Sequence, residues 1–192
     1  LQAAADSPAK LLVDGKRIET TNASCGLGYV KTTMTGANLN TFTVNKTAPG
    51  TSWGSVYAQF TQRTTDITDA SMGLSVKREL IYDGELKVGS KVKVRITITA
   101  DRDYDFVQVV DKRAACMEPI DQISGYMRGY YYSPRDNATY YYTDMMRKGT
   151  HVIEATYYID RPGTFTTGTC TVQCAYSPAY MARAKSQTLM IK

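Results

Sequence analysis

The sequence predicts an all-β chain built as two antiparallel β-sandwich units. Thr, Tyr, Val and Gly dominate, and strong helix formers are thin, a balance that favours strands and turns. Apolar and polar residues alternate over short stretches, which is the period of a half-buried strand. Turn signals recur every ~8–12 residues, as they do in sandwiches. With 192 residues and 43% hydrophobic content, the chain has room for one large or two small domains. A chain of this size buries roughly 70% of its unfolded surface, so it needs no covalent staple.

Residues 1–10 are Ala-rich with Ser7-Pro8 and read as a lead-in. Leu11, Leu12, Val13 and Ile18 flank Asp14-Gly15, a pair suited to a two-residue hairpin turn. Residues 29–35 alternate loosely around Val30 and Met34, and Asn38-Leu39-Asn40 reads as a turn. Over 41–46, Phe42 and Val44 alternate with polar residues, giving a strand with one buried face. Pro49-Gly50 turns the chain again. Residues 52–62 place Trp53, Val56, Ala58 and Phe60 on a further strand, irregular at Gly54. From 62 to 73 the composition shifts to Thr, Asp and Ala, which marks a boundary between a unit at 11–70 and one at 71–192.

In the second unit, Leu74, Val76 and Leu80 alternate with Ser75, Lys77 and Glu79, and Asp83-Gly84 and Gly89 bracket a corner. Residues 91–99 alternate most cleanly, with Val92, Val94, Ile96 and Ile98 inward. The stretch 97–120 is the centre of the unit. Phe106, Val107, Val109 and Val110 lie between the charge clusters 101–105 and 111–113, the mark of a buried strand, and Pro119 closes it. Residues 125–142 are Tyr-rich and broken at Ser133-Pro134. Strands follow at 149–159, 164–176 and 187–192, with a sharp turn at Arg161-Pro162-Gly163.

The chemistry-bearing residues exclude more than they offer. A net charge of +5, from 23 basic and 18 acidic residues in mixed order, gives no basic tract of nucleic-acid type. No leader of secretory type is present, which says nothing about compartment, and no run approaches the ~20 apolar residues of a membrane helix. The single histidine, His151, has no nucleophile or orienting acid nearby, so neither catalytic residues nor a cofactor is assigned. Asp101, Asp103 and Asp105 have alternate spacing but lack the Gly and Glu of an EF-type loop; a solvated turn with Asp side chains capping amides is expected, and no metal is assigned. Cys25, Cys116, Cys170 and Cys174 are compatible with two disulfides, one or none, and have no zinc spacing. Cys170 and Cys174, about 13 Å apart on one strand, cannot bridge each other. Two tyrosine triplets, 130–132 and 140–142, put rings on both faces of their strands. Tyr130, Tyr131 and Tyr132 are the candidate interaction surface; the alternative is that these rings cover the sandwich end.

The motif Asp101-Arg-Asp-Tyr-Asp-Phe-Val-Gln-Val-Val-Asp-Lys-Arg-Ala-Ala-Cys-Met-Glu-Pro119 resembles the last domain of bacterial alpha-macroglobulin-type proteins, in a Bacteroides-like subgroup. Tyr130-Tyr-Tyr-Ser-Pro-Arg-Asp136, Arg147-Lys-Gly-Thr-His-Val-Ile-Glu154 and Thr171-Val-Gln-Cys-Ala-Tyr-Ser-Pro178 continue it in order. Ser52-Trp-Gly-Ser-Val-Tyr-Ala-Gln59 and Leu74-Ser-Val-Lys-Arg-Glu79 match upstream, so the likeness covers most of the chain from about Leu11.

The resemblance implies a non-catalytic C-terminal region of a large bait-and-trap endopeptidase inhibitor of the bacterial envelope, periplasmic or outer-surface, with a lipid anchor upstream as one arrangement. Residues 11–70 would be the returning part of a CUB-like domain, and 71–192 the final macroglobulin-type sandwich. Its partners would be the thioester-type domain of the parent chain and, through the whole protein, target proteases; a fragment with unpaired sheet edges could also form a homodimer. The thioester itself is built from Cys-x-Glu-Gln. Here Pro119 stands in the Gln position after Cys116-Met-Glu, so no thioester forms from local residues. The resemblance pairs Cys116 with Cys174, both inside matching motifs, against the alternative of buried free thiols. The competing functional reading is a stand-alone surface sandwich that binds glycan or protein through its Tyr-rich face.

Overall fold

The computed structural model describes residues 9–19, 21–22, 28–29, 31–35, 40–47 and 49–192. The chain divides into two units, Leu1–Gln59 and Phe60–Lys192. Among the described residues the one helical segment is a 3-10 turn at Thr64–Asp66. The rest of the regular structure is β, and every ladder is antiparallel, as the alternation required.

The first unit contains β1 (Lys10–Val13), β2 (Lys16–Ile18), β3 (Thr21–Asn22), β4 (Gly28–Tyr29) and β5 (Phe42–Asn45). They form a three-stranded sheet, β2-β1-β5, and a separate β3-β4 ladder. The β1–β2 hairpin turns on Asp14 (φ 47°) and Gly15 (φ 76°), the left-handed pair of a type I′ turn. The Asp14 carboxylate accepts from the Asn40 and Thr41 amides at 3.0 and 2.9 Å and so joins this turn to the approach to β5. Those bonds, Thr41 first, hold its carboxyl below the usual range. Two expectations change here. Phe42 and Val44 of β5 are about half exposed, so that strand has no buried face. Residues 52–62 have no ladder partner among the described residues, and Trp53 is 93% exposed. Alternation specifies which side chains share a face, but a face is buried only where another layer covers it. The turn expected at Asn38-Leu39 and the thiol of Cys25 lie outside the described residues.

The second unit runs through β6 (Ala70–Met72), β7 (Leu74–Ile81), β8 (Lys91–Ala100), β9 (Tyr104–Lys112), β10 (Met117–Pro119), β11 (Gly125–Met127), β12 (Tyr130–Pro134), β13 (Ala138–Met146), β14 (Gly149–Ile159), β15 (Gly163–Thr166), β16 (Cys170–Cys174), β17 (Met181–Ala184) and β18 (Thr188–Ile191). Eleven of them follow one ladder, β10-β14-β8-β7-β6-β17-β16-β9-β13-β12-β11, while β15 pairs with β18. The ladder folds back on itself at β6–β17 to make two layers. Strands far apart in ladder order touch through buried side chains: Arg78 of β7 bonds Asp111 of β9 at 2.9 Å, and Thr139 of β13 bonds Tyr157 of β14 at 2.8 Å. Between the layers lies one core, with Val92, Val94, Ile96 and Ile98 facing Val107, Val109 and Val172. β8 alternates along its whole length, as its sequence predicts.

The composition shift at 62–73 lies within the second unit, which begins at Phe60. β6 pairs with β17, the Thr68 carbonyl accepts from Arg183 at 3.0 Å, and Asp69 accepts the Lys185 amide at 2.7 Å. The expected strand at 164–176 is interrupted over 167–169, where Thr167 and Gly168 turn their oxygens to Arg78 instead of a ladder. Pro134 does not break its strand but ends it, opposite Thr139, and the turn follows at 135–137. Arg113 clamps that turn by donating to the carbonyls of Arg135 and Asp136, and to that of Met117 at 3.0 Å.

Candidate interaction site

The tyrosine-rich strands form the far end of one layer. β11 and β12 are joined through Arg128 (φ 51°) and Gly129 (φ 87°), again a type I′ pair, which fixes their register. Tyr126 therefore stands opposite Tyr131, and Tyr131 opposite Tyr142 of β13. Successive side chains on a strand point to opposite faces. The register thus sorts the rings: Tyr126, Tyr131 and Tyr142 outward, Tyr130, Tyr132 and Tyr141 inward.

This corrects the expectation for the 130–132 triplet. Tyr131 is 38% exposed, but Tyr130 is 9% and Tyr132 3% exposed, so two of the three rings belong to the core. Tyr132 packs on Tyr141 with ring centroids 5.6 Å apart, and its hydroxyl donates to the Asp121 carbonyl at 2.6 Å. Burial pushes the phenols of Tyr130, Tyr132 and Tyr141 above their ordinary value. The exposed partners of Tyr131 are Tyr126, 85% exposed, and Tyr142.

The outward rings line a cleft of about 340 Å³ completed by Gly129, Thr143, Asp144 and Met145. Tyr126 and Tyr131 meet edge to face, 5.3 Å apart with 73° between planes, so they form a corner. Tyr140 and Tyr142 stack nearly parallel, 9° apart, beside it.

A second polar corner lies at the β8–β9 turn. Asp101 accepts from Arg102 at 3.1 and 3.0 Å and from the Tyr104 hydroxyl at 2.5 Å. These bonds, Arg102's first, draw its carboxyl down to about 2. Burial, then Asp101, pushes the Tyr104 phenol up to about 12. Asp103 accepts the Lys148 amide at 2.7 Å and Arg147 at 2.9 Å, and is held low by both. The cluster at 101–105 is therefore a turn tied to arginines and an amide. No group of three metal-ligating side chains is found among the described residues. His151 is half-buried, its Nε2 2.7 Å from the Arg147 carbonyl. A depressed carboxyl stabilises the fold above its unfolded pKa and loses that effect as pH falls through the folded one. NMR titration should thus find Asp101 still ionised near pH 3 and titrating at about 2. Tyr104→Phe should move that midpoint upward; an Asp101 midpoint near 3.8 in the intact protein would contradict the bonding described.

The cysteine pairing implied by resemblance is also corrected. Cys116, Cys170 and Cys174 are free, buried thiols. Cys174 faces Val107 near the start of β9 and donates to the Asp105 carbonyl at 3.1 Å. Cys116 lies beyond the other end of β9, where its carbonyl accepts the Asp160 amide. The length of the strand separates them, far beyond the ~6 Å between Cα atoms that a bridge needs. Burial raises the thiols of Cys116 and Cys170, which suits inert core residues rather than nucleophiles. Alkylation without reductant should label all three only after denaturation, as peptide mapping would read out; a Cys116–Cys174 linked peptide would refute this.

The family model for the bacterial alpha-2-macroglobulin MG10 domain matches residues 58–179. No curated protein matches the chain. Among solved structures, Salmonella alpha-2-macroglobulin reacted with methylamine aligns at 22% identity and TM-score 0.58, over 66% of this chain and 10% of that one. Trypsin-activated alpha-2-macroglobulin from Escherichia coli aligns at 17% identity and TM-score 0.58, over 66% of this chain and 11% of that one. A native Escherichia coli structure spanning MG7 to the C-terminus aligns at 16% identity and TM-score 0.58, over 67% and 25%. The chain thus spans between a tenth and a quarter of the length of these structures. The MG10 match begins two residues before Phe60, the first residue of the second unit. The chain belongs to the bacterial alpha-2-macroglobulin family, with its MG10 domain at residues 58–179.

Proposed function

We propose that this chain is a non-catalytic structural and interaction region of a longer, bacterial alpha-macroglobulin-like endopeptidase inhibitor of the cell envelope, in the Bacteroides-like subgroup. The observation that carries this reading is the MG10 match across the second unit. The ionisable groups of the second unit have structural partners: Asp101, Asp103 and Asp111 are tied to arginines, the described thiols are buried, and His151 lies against a carbonyl.

On this reading, the part of residues 11–70 that precedes the second unit is the returning part of a CUB-like domain whose other strands come from elsewhere in the parent. The free outer edges of β2 and β5 among the described residues fit that role, since such edges accept further strands. In isolation they favour a homodimer. The partners are the thioester-type domain of the parent and, through the whole molecule, proteases. The purified 192-residue chain should leave protease turnover unchanged at stoichiometric ratio. Slowed turnover would sink the reading.

A further inference from the structure

The cleft beneath Tyr126 has features that the family assignment does not use. Its walls are the faces and edges of three tyrosines held in register by three strands, and its rim carries a carboxylate, Asp144. Elsewhere in the unit, Asp101, Asp103, Asp111, Glu154 and Asp160 each pair with an arginine. The Asp144 side chain, like those of Asp83, Asp105, Asp121 and Asp136, has no hydrogen-bond or ion-pair partner among the described residues, and of these it alone lines the cleft. Tyrosine faces attract cations through the ring quadrupole, and a carboxylate beside them adds charge attraction and hydrogen bonding. The 73° angle between Tyr126 and Tyr131 makes a corner that encloses a compact group, whereas a sugar ring stacks best on a flat platform.

We propose that this cleft takes the arginine or lysine side chain of a partner polypeptide. The neighbouring edge indicates a polypeptide source. β11, which carries Tyr126, is the last strand of the eleven-strand ladder, so its outer backbone groups are open to an added extended segment. A residue placed opposite Tyr126 on such a segment would project on the same face as the cleft. The proposal rests on the cleft and the β11 edge and stands or falls independently of the protease-trapping role.

The test is NMR titration of the full chain with acetyl-Gly-Arg-Gly-amide, its citrulline counterpart and methyl β-glucoside. The arginine peptide should saturably shift the ring signals of Tyr126, Tyr131 and Tyr142. Citrulline, equal in shape but uncharged, should bind at least about tenfold more weakly. Asp144→Asn, an exposed change that leaves the core intact, should weaken the arginine peptide about tenfold with unaltered circular dichroism. Equal binding of arginine and citrulline, a response to the glucoside in place of arginine, or no shift of these rings at high peptide concentration would each overturn the proposal.

Discussion

Replacing Arg78 by Met should cost about 3–5 kcal/mol of stability, the loss typical when one partner of a buried ion pair is removed. Arg78 and Asp111 side chains are 1% and 2% exposed and lie 2.9 Å apart. The guanidinium does more than pair. It donates to Asp111, to Thr167 Oγ1 and to the carbonyls of Lys112, Gly168 and Lys185, at 2.7–3.3 Å. One side chain thereby fastens β7, the end of β9, the 167–169 interruption and the segment after β17. Met would fill the stem's volume but leave these acceptors dry, and a buried carboxylate uncompensated. Burial already pushes the Asp111 carboxyl upward, with Arg78 opposing it. A urea titration followed by circular dichroism should show a lower midpoint at similar slope. Adding Asp111→Leu to Arg78→Met should restore much of the loss, because the stranded charge goes with it. A single-variant loss below about 1 kcal/mol would show that the pair is not what joins the layers.

Gly73→Ala should be the second large effect, about 2–5 kcal/mol from left-handed strain plus overpacking. Gly73 turns the chain between β6 and β7 at φ +71°, and a Cβ there would sit 2.2 Å from the Tyr104 hydroxyl and 2.9 Å from Tyr180 Cδ1. The hydroxyl cannot simply swing away, because Asp101 holds it at 2.5 Å and the ring packs on Tyr180 with centroids 5.4 Å apart. Tyr104→Phe removes the obstructing oxygen. In the Gly73→Ala background it should recover part of the loss, while in the parent it should cost about 1 kcal/mol for the lost bond. Gly73→Ala within about 0.5 kcal/mol of the parent would mean that the turn is looser than described.

Much of the second unit was legible in the sequence because its strands alternate. β8 reads inward at Val92, Val94, Ile96 and Ile98, and all four are core. The two residues that join the layers carry a sequence signal too. Arg78 falls in phase with Leu74, Val76 and Leu80, and Asp111 in phase with Val107 and Val109. A lone charge at an inward position is a signal for a buried partner of opposite sign. The tyrosine triplets were ambiguous for a different reason. Alternation says that Tyr131 opposes Tyr130 and Tyr132, but the Arg128-Gly129 turn and the ladder decide which face is covered. The strands β6 and β17 were missed because each is only three or four residues long and pairs across more than a hundred positions. The apolar pattern around Trp53 and Phe60 promised burial, which no local period can guarantee when the covering layer is distant in sequence or outside the chain.

On the proposed function, this chain works as part of a larger envelope macroglobulin rather than alone. The most direct measurement is the size and cell fraction of the native protein, detected with an antibody raised against these 192 residues. A band far above 21.3 kDa in the envelope fraction is expected. A band near 21.3 kDa, or one confined to another fraction, would contradict it and leave a stand-alone module acting through its tyrosine face.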